Sequence, residues 1–201
     1  MTTHDTTPTT TTGRPAKRCC GTSVGVLITS PAGLVMVTRG WWPLGTAPVA
    51  GHVKDAHTGV ADALVAEVKE EVGLTVVGAP RTLWRGHLPN LCASLPAVPV
   101  AGHAWEVAEV SAEGEITPAP GETRGARVYT WAEVAALAAV TLTHYRAGGT
   151  PDTQPHASLE AVWLRLLREA GYLPWLTQDD LALAETAYAT PPGAYWLGGR
   201  P

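Results

Sequence analysis

The sequence predicts an α/β (α+β) fold in which strands surround one central helix, a second helix follows the sheet, and a helical extension closes the chain. Three observations carry that expectation. Two β-rich runs, SVGVLIT from Ser23 and LVMVTRG from Leu34, are separated by SPAG and form a predicted hairpin. A loop carrying Gly51 and Gly59 then feeds a stretch whose apolar residues recur at helical spacing. Further strand-like runs follow, and beyond Gly149 the pattern becomes that of amphipathic helices.

Taken in order, residues 1–17 are Thr-rich and lack apolar periodicity, so they are expected to be a disordered tail. Residues 18–148 are expected to form one domain, since 45% hydrophobic content in a 201-residue chain suffices to bury a core. Gly40 to Ala50, with Trp41 and Trp42, lead from the hairpin into the glycine loop. In the central helix Ala61, Leu64, Val65, Val68 and Val72 form the expected core-facing stripe, with Asp62 and Lys69 pointing away from it. Gly73 is the predicted left-handed C′ residue that ends this helix, with Leu74 packing back. TVVGA, TLWRGH and GHAWEVAEVSA are strand-like, and ARVYTWAEV takes a last strand into a helix starting near Thr130 or Trp131. Residues 149–201 form the extension. SLEAVWLRLLREAGY carries Leu159, Val162, Trp163, Leu166 and Leu167 on one face, and LTQDDLALAETAYA has Thr177 as its expected cap ahead of Asp180. These two helices are expected to pack on the domain or on the second subunit of a homodimer.

Composition excludes several roles. A formal net charge of −4, with no basic run, argues against a nucleic-acid partner. No signal peptide or membrane span is evident, so no membrane partner and a cytoplasmic location are expected. Cys19, Cys20 and Cys92 are odd in number and poorly spaced for a disulfide framework or a zinc site. His52, His57, His87 and His103 are scattered singly and carry no assigned role.

The chemistry concentrates in AEVKEEVGL, residues 66–74, which sets Glu67, Glu70 and Glu71 on one helical turn. Like charges at that spacing repel by roughly 0.2–0.5 kcal/mol per pair. A hard cation such as Mg²⁺ removes the penalty, because it takes oxygen ligands and is commonly shared between carboxylates and a substrate phosphate. Glu67, Val68, Glu70, Glu71, Gly73 and Leu74 also fall at the intervals of a known motif. The stretch from Gly51 to Leu74 resembles a Nudix box, G-x5-E-x7-R-E-U-x-E-E-x-G-U, where U is a bulky aliphatic residue. Its first half departs from the pattern. One extra residue precedes the helix, His57 or Thr58 stands where the early Glu belongs, and Ala66 replaces the Arg.

The resemblance implies a Nudix αβα sandwich, with a mixed sheet between helices, and hydrolysis of a small-molecule diphosphate, such as a nucleoside diphosphate joined to another group. It implies Mg²⁺, or alternatively Mn²⁺. Glu67 would be a metal ligand or the general base, Glu70 and Glu71 would be ligands, and a backbone carbonyl near Ala50 or Gly51 would complete the shell. A further catalytic acid on a loop after the core strands is assigned to Glu122. Substrate contacts are assigned to Trp42, Trp84 and Trp105, whose rings suit base stacking, and to Arg124 for phosphate. The Pro-rich insert from His87 to Gly102 is the candidate lid. Two alternatives stay open: a binding or regulatory module with little turnover, and a hydrolase of prenyl or sugar diphosphates.

Overall fold

The computed structural model describes residues 19–53, 57–94, 102–118, 120 and 123–193. The tail over residues 1–17 lies outside that range. Strands β1 (Thr22–Ser30) and β2 (Gly33–Arg39) form the hairpin, with Ser30 opposite Gly33. Gly33 has a φ of 143°, and a Cβ there would run into the Tyr129 carbonyl, so the turn requires glycine. β3 (Thr46–Ala47) and β4 (Val49–His52) follow, then helix α1 (Val60–Val72). The chain continues as β5 (Thr75–Leu88), β6 (His103–Glu113), β7 (Thr123–Tyr129), α2 (Trp131–Arg146), α3 (Ala161–Glu169) and α4 (Gln178–Ala189). TVVGA and TLWRGH prove to be one 14-residue strand, whose pairing to β6 slips between Val77 and Arg81 and again between Thr82 and Trp84. Two irregularities keep the strand continuous where the sequence suggests a break.

The sheet is mixed, as expected. Its order is β3-β2-β1-β6-β5, with β4 paired to β1 and β7 to β2. β1 and β6 run parallel, whereas β1–β2, β1–β4, β2–β7 and β5–β6 are antiparallel. Alternation along β1 and β2 sends side chains to two cores. Val24, Val26, Ile28, Val35 and Val37 meet α1 through Leu64, Val68 and Val72, whereas Leu27, Leu34 and Met36 belong to the core shared with α2, α3 and α4. The result is helix, sheet and helices in layers.

The extension is built into this body. Thr46 N–H donates to the Ser158 carbonyl at 2.7 Å and Glu160 N–H donates to the Thr46 carbonyl at 3.0 Å, so residues 158–160 lie alongside β3. Gly45, with a φ of 121°, permits that approach, because a Cβ there would strike the Glu160 backbone. Trp163 is fully buried over Gly25, whose missing side chain leaves room for the indole. The expected cap at Thr177 is present, and Thr130 caps α2 in the same way. Thr130 and Glu133 exchange hydrogen bonds at the start of α2, and Thr177 and Asp180 do so at the start of α4. Among the described residues no helix is long and apolar enough to cross a membrane.

Candidate active site

Helix α1 is turned further toward its glutamates than the apolar pattern suggests. Its buried residues are Ala63, Leu64, Glu67, Val68, Glu71 and Val72, whereas Ala61 and Val65 of the expected stripe are exposed. This corrects the predicted face. The physical reason is the partner surface: β4 presents bare backbone at Gly51, and the Glu67 carboxylate fills that space while Glu71 reaches the Ala50 N–H. A Cβ at Gly51 would fall within the Glu67 carboxylate. Small Ala63, one turn before Glu67, lets the helix approach. Gly73 closes α1 in the left-handed conformation, with a φ of 74°, as predicted.

Glu67 and Glu71 are each only 6% exposed, while Glu70 stands exposed on the same turn. The trio is therefore two carboxylates packed on the strand with the third at the rim. Ala50 N–H donates to Glu71 Oε2 at 3.4 Å, tying the second buried acid to β4 as well. This donor set of hard oxygens, beside a glycine that leaves no side chain in the way, fits a Mg²⁺ or Mn²⁺ ion.

Two residues that sequence reasoning missed complete the cluster. Arg39, at the end of β2, donates from Nη1 to Glu71 Oε1 at 2.8 Å and from Nε to Glu160 Oε2 at 3.3 Å. Its backbone is pinned on both sides: Arg39 N–H donates to the Gly45 carbonyl at 2.8 Å, and His156 Nδ1 lies 3.2 Å from the Arg39 carbonyl. Burial works against the guanidinium charge, but Glu71 and Glu160 outweigh it and raise the Arg39 pKa. Glu160, the residue before α3, is buried, and burial raises its pKa; Arg39 opposes the rise and Glu71 adds to it. The sequence does carry a signal for Glu160, since it interrupts an otherwise apolar run from Leu159 to Leu164. The loop ahead of α1 is tied locally to the helix. Thr58 donates from its N–H and its hydroxyl to Asp62 at 3.1 and 3.2 Å.

The remaining candidates separate. Trp42 lines a small cavity with Leu44, Asn90, Glu160, Val162 and Tyr188, so that cavity reaches the carboxylate cluster through Glu160. Its volume, about 20 Å³, has room for a water and not for a base in this conformation. Trp84 is half-buried on β5, lies over Gly86, and does not line that cavity. Trp105 is a core residue, which corrects its assignment to substrate: it is 7% exposed, donates its indole N–H to Asn90 at 2.8 Å and packs edge-on to Trp163. Arg124 is exposed on β7 beside Gly40, one residue on from Arg39. Glu122 and part of the insert, residues 95–101, lie outside the described residues.

The sequence profile of the NUDIX domain matches residues 21–152. No curated protein matches the chain. Among solved structures, a NUDIX-family hydrolase from Clostridium perfringens is similar with 14% identity and a TM-score of 0.49, covering 76% of this chain and 97% of its own. A MutT NUDIX hydrolase from Burkholderia pseudomallei is 16% identical with a TM-score of 0.43, covering 55% of this chain and 83% of its own. A nudix hydrolase family member from Chromobacterium violaceum is 16% identical with a TM-score of 0.38, covering 54% of this chain; the match spans 62% of that protein's length.

Proposed function

The chain belongs to the NUDIX family, and from that premise we propose that it is a Mg²⁺-dependent hydrolase of a small-molecule diphosphate, with a nucleoside diphosphate derivative as the leading substrate class. The observation that carries the proposal is the pair of buried carboxylates held against β4, Glu67 over the bare backbone of Gly51 and Glu71 accepting from the Ala50 N–H. Glu67, Glu70 and Glu71 would hold the ion, with the Gly51 carbonyl beside them. The ion would offset phosphate charge and lower the pKa of a bound water. Arg39 fixes the position of Glu71, and burial keeps that carboxylate from drifting into solvent. Arg124, exposed beside Gly40, is the candidate to meet a phosphate oxygen, and Trp42 the candidate to meet a base at the edge of the cavity.

One observation favours a second reading, a diphosphate-binding module with little turnover: the Arg39 guanidinium already satisfies one oxygen of Glu71. A panel of nucleotide, sugar and prenyl diphosphates, assayed with and without Mg²⁺, separates the two. Metal-dependent cleavage of the diphosphate bond in one class, read as its phosphomonoester products or released phosphate, supports the hydrolase, and tight binding without cleavage of any class supports the module.

Gly51→Ala supplies a sharper check on the site. The added methyl group would occupy the position of the Glu67 carboxylate, so that side chain must move. A displacement near 1 Å at a reacting centre costs about 10²-fold in rate. A loss of that size, with the circular dichroism spectrum preserved, is the expected result. Unchanged turnover would mean that Glu67 is not where catalysis needs it.

A further inference from the structure

Four side chains that the hydrolase reading does not use meet near the far end of β4. Cys19 precedes β1, His52 ends β4, Cys92 lies in the loop after β5, and His103 begins β6. One ligand atom from each comes within 4.8 Å of every other. Cys19 Sγ is 3.0 Å from His103 Nε2, and Cys92 Sγ is 3.3 Å from His52 Nε2. In a tetrahedral zinc site, with Zn–S near 2.3 Å and Zn–N near 2.0–2.1 Å, sulfur and nitrogen ligands stand roughly 3.5 Å apart. The spacing of the four atoms therefore suits a single ion at their centre.

The surroundings are arranged as such a site requires. His103 Nδ1–H donates to the Asn90 carbonyl at 3.0 Å, which leaves Nε2 as the lone pair aimed at Cys19. Backbone N–H groups of Gly21 and Ser94 donate to Cys19 Sγ at 3.4 Å and Cys92 Sγ at 3.3 Å, the polarity that stabilises a thiolate. Cys19 and His103 are buried, while His52 and Cys92 are half-buried. Spacing along the chain gives no sign of this, because the ligands come from four separate segments. The expectation that the cysteines are unsuited to zinc is corrected by the fold, which pairs Leu88 with His103 and Ser23 with His52 and so draws the segments together.

We propose that Cys19, His52, Cys92 and His103 bind a structural Zn²⁺ ion. Two thiolates and two imidazoles select zinc over Mg²⁺, which takes oxygen ligands. Four protein ligands close the coordination shell, so the ion's role is to hold segments together and not to activate water. It clamps the start of β1, the end of β4 and both ends of the 87–102 insert, and His52 is the neighbour of Gly51. Cys20 takes no part: its Sγ turns toward the Thr22 hydroxyl at 3.0 Å.

The test uses the full chain and reads metal, not hydrolysis, so its outcome is independent of the Mg²⁺ proposal. Protein purified from zinc-supplemented cells should carry about one zinc per chain by elemental analysis, as a closed four-ligand site demands. Reconstitution with Co²⁺ should give tetrahedral d–d bands and a thiolate-to-cobalt charge-transfer band. Cys92→Ser should reduce bound zinc to a small fraction of that level, and Cys20→Ser should retain it. Should Cys92→Ser fail to fold, the cobalt spectrum of the unmutated chain decides alone. The proposal is overturned if the unmutated chain binds neither metal, if the cobalt spectrum lacks thiolate charge transfer, if Cys20→Ser loses zinc as fully as Cys92→Ser, or if peptide mapping under non-oxidising isolation finds Cys19 joined to Cys92.

Discussion

Glu67→Gln and Glu71→Gln are each expected to lower Mg²⁺-dependent diphosphate cleavage by about 10³-fold or more, with little change in the folded structure. Gln keeps the shape of Glu and loses the charge, so what it removes is the capacity to hold a divalent ion. A metal acting as Lewis acid supplies several kcal/mol of transition-state stabilisation, and each 1.4 kcal/mol or so is a factor of ten in rate. Both side chains are buried against β4, so a modest stability change in these variants is also possible to measure and must be subtracted. Glu70→Gln resolves that ambiguity. Because Glu70 is exposed, a fall in its turnover reports metal binding with the fold undisturbed. Steady-state rates across a Mg²⁺ titration provide the measurement. If all three variants retain full kcat at saturating Mg²⁺, the carboxylates do not hold the catalytic ion.

The end of α1 and the starts of α2 and α4 are legible in the sequence because they depend on short-range rules. Gly73 must be left-handed, and Thr130 and Thr177 have a capping partner three residues on. The hairpin at Ser30–Gly33 is legible for the same reason. The rotation of α1 is not. An apolar stripe assumes an apolar partner, whereas this helix meets glycine backbone at Glu67 and polar donors, the Ala50 N–H and Arg39, at Glu71, so both acids take the inward positions ahead of Val65. Arg39 and Glu160 escape a sequence reading because they lie 121 positions apart and meet only when residues 158–160 dock alongside β3. Trp105 misleads for the converse reason. A large ring suited to stacking on a base is equally suited to a core, and its neighbours Asn90 and Trp163 are set by the tertiary fold.

Arg39→Met is expected to destabilise the protein by about 3–5 kcal/mol, the cost of leaving buried carboxylates without their cation. Met retains much of the apolar length of Arg, so the loss reports charge more than volume. Glu71 and Glu160 would then share a buried site without the cation that bridges them. The effect should depend on pH, and its sign follows from Glu160. Burial raises the folded-state pKa of that carboxyl even with Arg39 in place, and removing Arg39 takes away the group that opposes the rise. A carboxyl whose folded pKa lies above its unfolded value, near 4.3, favours the folded state most below that value. The advantage is lost as pH rises through the folded pKa. The Arg39→Met deficit should therefore be smallest in acid and grow toward neutrality. Adding Glu160→Gln to Arg39→Met should recover part of the loss at neutral pH and flatten the profile, because no charge then remains to be neutralised at that position. Replacing Arg85, which is itself exposed where it pairs with the half-buried Glu106, should leave stability nearly unchanged. Urea denaturation of the four members of the Arg39/Glu160 cycle, without added Mg²⁺ and at several pH values, supplies the data. A deficit below about 1 kcal/mol that does not vary with pH is the size of a solvated surface pair, and it would mean that the Arg39 cluster opens to water in solution.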